Sequence, residues 1–260
     1  MQSPSTQIIN GIPLSQVLPW FAILINYRYN TPVLCGSTYI GNYHNHSYFI
    51  SAAHCFEDRN TNWTSYAYLN TTDIDFIIRN IGIHTCPPPH CFEIETIQVH
   101  PEYDPTNFRN DIALFRLGNN VSFSDELIQL PFPNMDYKKI YCNEKVEAFG
   151  IGIYSLRNQS LSHTLRKGDL FLLNDTMYPV YDMERNIAST FLANNLQNDS
   201  DESNNIDTCQ GDSGGPVLLS PHENTIIGIT SWGYECALNQ YPGVYTYVPY
   251  YLSWIYSILM

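Results

Sequence analysis

Between Asp207 and Pro216 the chain reads Asp-Thr-Cys-Gln-Gly-Asp-Ser-Gly-Gly-Pro, a segment that few folds can use. Its neighbours are too small to bury Ser213, so the hydroxyl is presented from a turn. Gly214 and Gly215 are expected to allow positive φ and the close approach of another chain segment. Gly211 leaves its N–H free to point into the same space as the N–H of Ser213, and two such donors suit the oxyanion of a tetrahedral intermediate. One donor of this kind is typically worth ~10²–10³ in turnover. Alone, the segment would be a turn between two strands, because Gly, Asp, Ser and Pro are ordinary turn residues. A reactive serine needs a base from elsewhere in the chain.

Ser51-Ala-Ala-His54-Cys55 supplies a base, and Asn110-Asp111-Ile-Ala-Leu114 supplies a carboxylate at the edge of an apolar run. A histidine beside a cysteine is ordinarily a packing residue, and an Asp opening a strand is ordinarily a turn residue. All three segments together, in the order His, Asp, Ser, match one of the known chain orders of a catalytic triad. A lipase- or esterase-like hydrolase shares this chemistry but is expected to place Ser before His.

These motifs resemble the trypsin-like (chymotrypsin-fold) serine endopeptidases, and the resemblance runs from Ile8 to the C-terminal helix. It implies an all-β fold of two antiparallel six-stranded barrels, with the active site in the cleft between them and a helix at the C-terminus. It implies that Ser213 attacks the scissile carbonyl, that His54 is general base and then acid, and that Asp111 orients the imidazole. Ile8-Ile-Asn-Gly11 resembles the family's mature amino terminus, whose freed α-amine pairs with the Asp before the nucleophile, here Asp212. Alone, that stretch would be an apolar strand start followed by a turn. Asp207 stands where trypsin-like members bind an Arg or Lys side chain, and Gly233 and Gly243 match the glycines that keep the pocket walls open. Ser231 and Gly233 are expected to pair with substrate through their backbones as an added strand, with Trp232 lining the pocket. The implied partners are proteins or peptides with Arg or Lys at the cleaved bond, together with protein inhibitors. No cofactor is implied.

The resemblance also pairs Cys35 with Cys55 around His54, and Cys209 with Cys236 beside Ser213. Cys86 and Cys91 enclose Pro-Pro-Pro-His and are expected to close a small loop. Cys142 is left odd, either free or reaching another chain. Cys86, His84, His90 and Cys91 have a rival reading as metal ligands, but the proline run makes a four-ligand cluster awkward. A calcium loop common among relatives would follow Ile81-Gly82, yet Ile83 stands where its first acidic ligand belongs, so no metal is expected.

The stretch from Cys86 to Asp125 looks most like the catalytic domains of arthropod clip-type proteases. Leu127-Ile-Gln-Leu-Pro-Phe-Pro133 lacks the cysteine that tethers a clip domain in that group, and no clip domain is expected. Gln7 precedes Ile8 where most family zymogens carry Arg or Lys, so a different protease must act or activation is bypassed. Ala148-Phe149-Gly150 replaces a Gly-Trp-Gly-like turn, the usual cysteine pair of that region is missing, and Asn194 to Asn205 reads as a solvated loop. These departures sustain an alternative: a weak or inactive protease homologue that binds or regulates a partner.

Composition sets the remaining bounds. In 260 residues, 44% apolar and 14% aromatic content suffices for one large domain or two small ones. The expected division is a short segment 1–7 and a peptidase domain 8–260, with a first barrel at about 20–125, a second at about 126–248 and a helix at 250–260. A formal charge of −13 disfavours nucleic acid and anionic membranes and favours basic partners. No apolar run reaches the length of a membrane span, and Met1 to Gln7 lacks the features of a signal peptide. Either a segment outside this sequence directs export, or export does not follow that route. Seven cysteines and seven Asn-x-Ser/Thr sequons, at Asn45, Asn62, Asn70, Asn120, Asn158, Asn174 and Asn198, point to a secreted or extracellular glycoprotein.

Short β-rich runs separated by polar turns are expected throughout, among them Tyr66–Leu69 and Phe76–Ile81 in the first half and Val146–Phe149, Pro216–Leu219 and Gly243–Tyr247 in the second. Leu252, Ile255, Ile258 and Leu259 fall at helical spacing after Pro249.

Overall fold

The computed structural model describes residues 8–28, 31–57, 65–71, 73–80, 86, 89–118, 120–121, 128–155, 160–174, 178, 186–195, 205–219, 224–238 and 240–260. Gln7, the Ile81-Gly82-Ile83 turn, His84, the sequons at Asn62, Asn158 and Asn198, and the middle of the polar loop at 196–204 lie outside the described residues.

After β1 (Ile12–Pro13), six strands close into a barrel: β2 (Phe21–Arg28), β3 (Thr31–Tyr43), β4 (His46–Ser51), β5 (Tyr66–Leu69), β6 (Cys91–Val99) and β7 (Ala113–Leu117). Their spatial order is β2-β3-β4-β7-β6-β5, all pairings antiparallel. A second six-stranded ring holds β8 (Lys145–Gly150), β11 (Arg166–Leu172), β12 (Thr190–Asn194), β13 (Pro216–Leu219), β14 (Ile226–Trp232) and β15 (Gly243–Tyr247). Antiparallel pairing of β8 with both β11 and β13 closes it, while β1 is added to β11 from outside. A separate short pair, β9 (Ile153–Ser155) and β10 (Ser160–Leu161), stands apart from both rings.

Closure leaves few unpaired strand edges, and the burial pattern shows why these sequences accept it. Along β11, Arg166, Gly168, Leu170 and Leu172 are buried while the residues between them are half-exposed, the period of two that a strand imposes. Phe49 and Phe115 are register partners on β4 and β7, and their rings stack with centroids 4.9 Å apart. Such a pair contributes beyond its buried area. At the C-terminus a 3₁₀ turn, Val248–Tyr251, leads into α2 (Leu252–Leu259). Tyr251, Ile255 and Leu259 belong to the same apolar cluster as the first barrel's Trp20, Phe49 and Ile50, so the helix packs across onto that barrel.

Three expectations need correction. Phe76 to Ile81 is not a strand: α1 runs Ile74–Asn80. Asp73 starts it by accepting the Phe76 N–H at 2.7 Å, and Ile74 and Ile77, one helical turn apart, are both fully buried. The Asn194–Asn205 loop is not solvated at its ends, because Asn194 closes β12 and Asn194, Asn195 and Asn205 are buried. Asn195 Nδ2 donates to the Asp169 carbonyl and Asn205 Nδ2 to that of Ala237, so these amides substitute for water. Gly215 does not take positive φ. Gly211 and Gly214 do, at 96° and 75°, whereas Gly215 is required for space, since a Cβ there would lie 2.4 Å from the Phe149 carbonyl oxygen.

Candidate active site

The segments carrying His54, Asp111 and Ser213 converge where the barrels meet. His54 lies in a 3₁₀ turn, Ala53–Phe56, directly after β4, and the Cys35–Cys55 disulfide fastens that turn to β3. Asp111 directly precedes Ile112 and β7 and is fully buried. Its carboxylate accepts three hydrogen bonds: from His54 Nδ1 at 2.8 Å, from the His54 backbone N–H at 2.9 Å and from Ser231 Oγ at 2.5 Å. Thr246 Oγ1 donates to the Asp111 carbonyl at 2.8 Å. With Nδ1 donating to Asp111, the other ring nitrogen is the imidazole's free lone pair.

Burial pulls the His54 pKa down, but the Asp111 charge and hydrogen bond, with the Glu57 charge added, carry it above the ordinary value. Burial pushes the Asp111 carboxyl up, and the charge of His54 with the hydrogen bonds from His54 and Ser231 brings it below the usual carboxylate range. A charged carboxylate and a basic imidazole therefore coexist at neutral pH.

Ser213 is delivered by a turn that both barrels grip. Gly36 of β3 donates its N–H to the Ser213 carbonyl at 2.7 Å, while Gly214 N–H donates to the Thr230 carbonyl at 2.9 Å. The bonds shaping the turn use the N–H groups of Asp212, Gly214 and Gly215; among the described residues none uses those of Gly211 or Ser213. Gly214 combines positive φ with a Cβ position only 2.2 Å from Ser51 Oγ, so no other residue fits there.

Asp212 is fully buried behind this turn. Its carboxylate accepts from the backbone N–H of Gly152 at 2.7 Å and of Cys209 at 2.8 Å. Burial pushes its pKa up to about 7, against the pull of those two bonds and one from Ile151. Ile8 is 1% exposed and its side chain lies against Gly168, where a Cβ would come within 2.9 Å of Ile8 Cγ2. In this chain Ile8 is joined to Gln7, so its nitrogen is a peptide nitrogen. Ile9 accepts the Asp207 N–H, and Asn10 Nδ2 donates to the Asn205 carbonyl at 2.6 Å.

A cavity of about 380 Å³ opens beside the triad, lined among others by His54, Ser213, Thr208, Ser231, Trp232 and Gly233. Gly243 lies on its wall as well, and the Cys209–Cys236 disulfide holds its two sides together. Asp207 sits behind Thr208 and is 1% exposed. Its carboxylate accepts from Thr208 N–H at 2.8 Å and Ala237 N–H at 2.9 Å, and Tyr245 lies against it. Burial pushes its pKa up to about 7, the two backbone bonds oppose this, and the charge of Asp212 adds to it.

Sequence reasoning missed Phe108, Tyr234 and Glu235 in this cavity and the hydroxyl of Ser231 on Asp111. Phe108 takes positive φ of 54°, uncommon for a bulky residue, and its ring meets the His54 ring edge-on with centroids 5.7 Å apart. No residue pattern marks it, but its place three residues before Asp111 in a tight turn does. Cys86 and Cys91 form the third disulfide, so the rival metal reading loses its two thiolates, and Cys142 is a free thiol. The Cys35, His54 and Cys55 ligand atoms cluster within 4.8 Å, but both sulfurs there are bonded to each other.

A double antiparallel barrel whose junction joins an acid, an imidazole and a serine hydroxyl is the architecture of chymotrypsin-fold serine proteases. A sequence profile for the family described as Trypsin matches residues 14–255. The chain belongs to that family. It is similar to Ovochymase of Halocynthia roretzi, 29% identical over 96% of this chain and 15% of that protein. It is 31% identical to Melanization protease 1 of Drosophila melanogaster, over 91% of this chain and 61% of the relative. Tissue-type plasminogen activator of Bos taurus is 28% identical over 91% of this chain and 41% of its own length. The chain thus spans less than two thirds of each of these relatives. Among the described residues no helix is long and apolar enough to cross a membrane.

Proposed function

We propose that the protein is an endopeptidase that cleaves after Arg or Lys through an acyl-enzyme. The observation that carries this reading is the Asp111 carboxylate, which holds His54 by both its ring Nδ1 and its backbone N–H. An imidazole fixed in that tautomer takes the Ser213 proton as Oγ attacks the scissile carbonyl, then returns it to the leaving amine. Water, activated by the same imidazole, releases the acyl group. The N–H groups of Gly211 and Ser213 serve the oxyanion. Asp207 receives the guanidinium or ammonium of the substrate, and the absence of side chains at Gly233 and Gly243 leaves the passage to it open. The Ser231 and Gly233 backbones pair with substrate as an added strand beside Trp232.

Cleavage before Ile8 frees an α-amine whose partner is Asp212. The buried Ile8 side chain supports that insertion, and a cation there would offset the cost of an ionised Asp212. The three disulfides favour a secreted, oxidised protein, with glycans at exposed sequons such as Asn45, Asn70, Asn120 and Asn174.

The test is hydrolysis of a fluorogenic peptide with Arg before the scissile bond, by the full chain, by the chain beginning at Ile8, and by the latter with Ser213→Ala. Turnover restricted to the Ile8 form is the expected result, lost with Ser213. Absence of Ser213-dependent turnover on Arg, Lys and apolar peptides, from folded protein, would sink the reading and leave a non-catalytic homologue.

A further inference from the structure

Asp111 is not the only carboxylate near His54. Glu57 closes the 3₁₀ turn that carries the histidine, its N–H donating to the His54 carbonyl at 3.4 Å. In a 3₁₀ turn, side chains three residues apart eclipse, so His54 and Glu57 rise from the same edge. The Glu57 side chain is half-buried, and the hydroxyl of Tyr103 donates to its Oε1. Tyr103 in turn is held by its N–H on the His100 carbonyl at 3.0 Å, in the connection that leads to Asp111. Asn110 Nδ2 ties the same connection down by donating to the Glu102 carbonyl at 2.9 Å.

The groups facing the imidazole come from several elements. Asp111 and the Ser231 hydroxyl on it lie at Nδ1, the uncharged ring of Phe108 packs edge-on, and Ser213 and Glu235 share the cavity. The Cys35–Cys55 disulfide is neutral. Besides Asp111, Glu57 is the carboxylate whose charge reaches His54 and favours its protonated form.

We propose that Glu57, held in place by Tyr103, is a second acidic positioning residue for His54, stabilising the imidazolium that exists while the ring carries the Ser213 proton. The inference rests on the base role given to His54 above, but its test does not need turnover. A negative charge in this partly solvated setting favours the protonated ring, and its removal is read as a shift of the ring's titration midpoint.

The test is NMR titration of the His54 ring in the full chain, comparing the wild type with Glu57→Gln and Tyr103→Phe. Removing the charge lowers the ring midpoint by roughly half a unit in Glu57→Gln. Tyr103→Phe, which keeps the charge but frees its carrier, produces a smaller fall in the same direction and stands in should Glu57→Gln fail to fold. In the active form the acid limb of kcat/KM moves with the midpoint. A folded Glu57→Gln whose ring titrates as in the wild type would overturn the proposal, as would a loss of rate with an unmoved pH profile. If no form turns over substrate, the protease reading fails while the ring titration still decides the role of Glu57.

Discussion

A Cβ added to Gly150 would lie 2.0 Å from Asp212 Oδ1, so the absence of one side chain makes room for the other. Gly152 is under the same constraint, with Asp212 Cγ at 2.8 Å from its Cβ position. Gly150→Ala must displace Asp212, and with it the adjoining Gly211 to Ser213 turn. Turnover is expected to fall ~100-fold or more through loss of the oxyanion donors' placement. Overpacking of this kind lowers stability by about 1–3 kcal/mol. Urea denaturation with kcat/KM on the Arg peptide checks both, and a Gly150→Ala variant with full turnover would show that the turn does not depend on where Asp212 lies.

The two buried carboxylates make the uncut chain sensitive to pH. Asp207 and Asp212 have folded-state pKa values raised to about 7 from an ordinary 3.8. The folded chain holds protons that the unfolded chain has released, so their contribution is fully present below about pH 4 and is lost as pH rises to about 7. The slope is about 1.4 kcal/mol per pH unit for each group. Asp111 acts oppositely: its lowered pKa contributes stability above the ordinary value that disappears as pH falls further. Urea midpoints at several pH values should decline from about pH 5 to 7, and Asp212→Asn should flatten part of that decline. An unchanged slope in the variant would contradict the assignment.

Ser231 donates to the same Asp111 oxygen as His54. Ser231→Ala removes a hydrogen bond to a charged acceptor, a contribution of about 1.5–3 kcal/mol. Expected are a kcat lowered roughly tenfold or more, with KM little changed because the backbone proposed to pair with substrate is retained. A rise in KM with unchanged kcat would instead make Ser231 a substrate contact.

An aryl amidine offers a direct probe of Asp207. Its cation favours the ionised carboxylate, so binding below about pH 7 must release a proton, and affinity should rise with pH until Asp207 is ionised in the free protein. Inhibition constants from about pH 5.5 to 8.5 test this, with Asp207→Asn as the control expected to lose both affinity and slope. Affinity that does not vary across the range would remove Asp207 from the recognition site.

What could be read beforehand follows a physical division. Ser213, His54 and Asp111 lie in segments whose small neighbours and apolar flanks are visible locally, and the alternation along strands such as β11 is equally local. The lining contributed by Phe108 and Glu235 is not, because each reaches the cavity from a loop whose course depends on distant pairings. The run from Ile74 to Ile77 fits a buried strand or a helix equally well, and Asp73 tips the balance by capping the first turn. At Asn195 and Asn205 polarity suggested exposure, whereas paired amides can be buried once backbone carbonyls receive them.

The contact between the barrels at Gly36, Gly214 and Gly215 has an evolutionary corollary. Gly36 approaches Gly215 so closely that its Cβ position would lie 2.8 Å from the Gly215 Cα, and Gly36 also donates its N–H to the Ser213 carbonyl. At these glycines the seam is backbone against backbone, and side chains from both barrels flank it, Trp20 meeting Phe149 edge-on with centroids 5.1 Å apart. Halves taken from different relatives could be joined along it only where these glycines are kept and the crossing pairs, Trp20 with Phe149 and Asp111 with Ser231, still match. Loops at the rim are then free to diverge, while a single methyl group at these glycines would part Ser213 from His54.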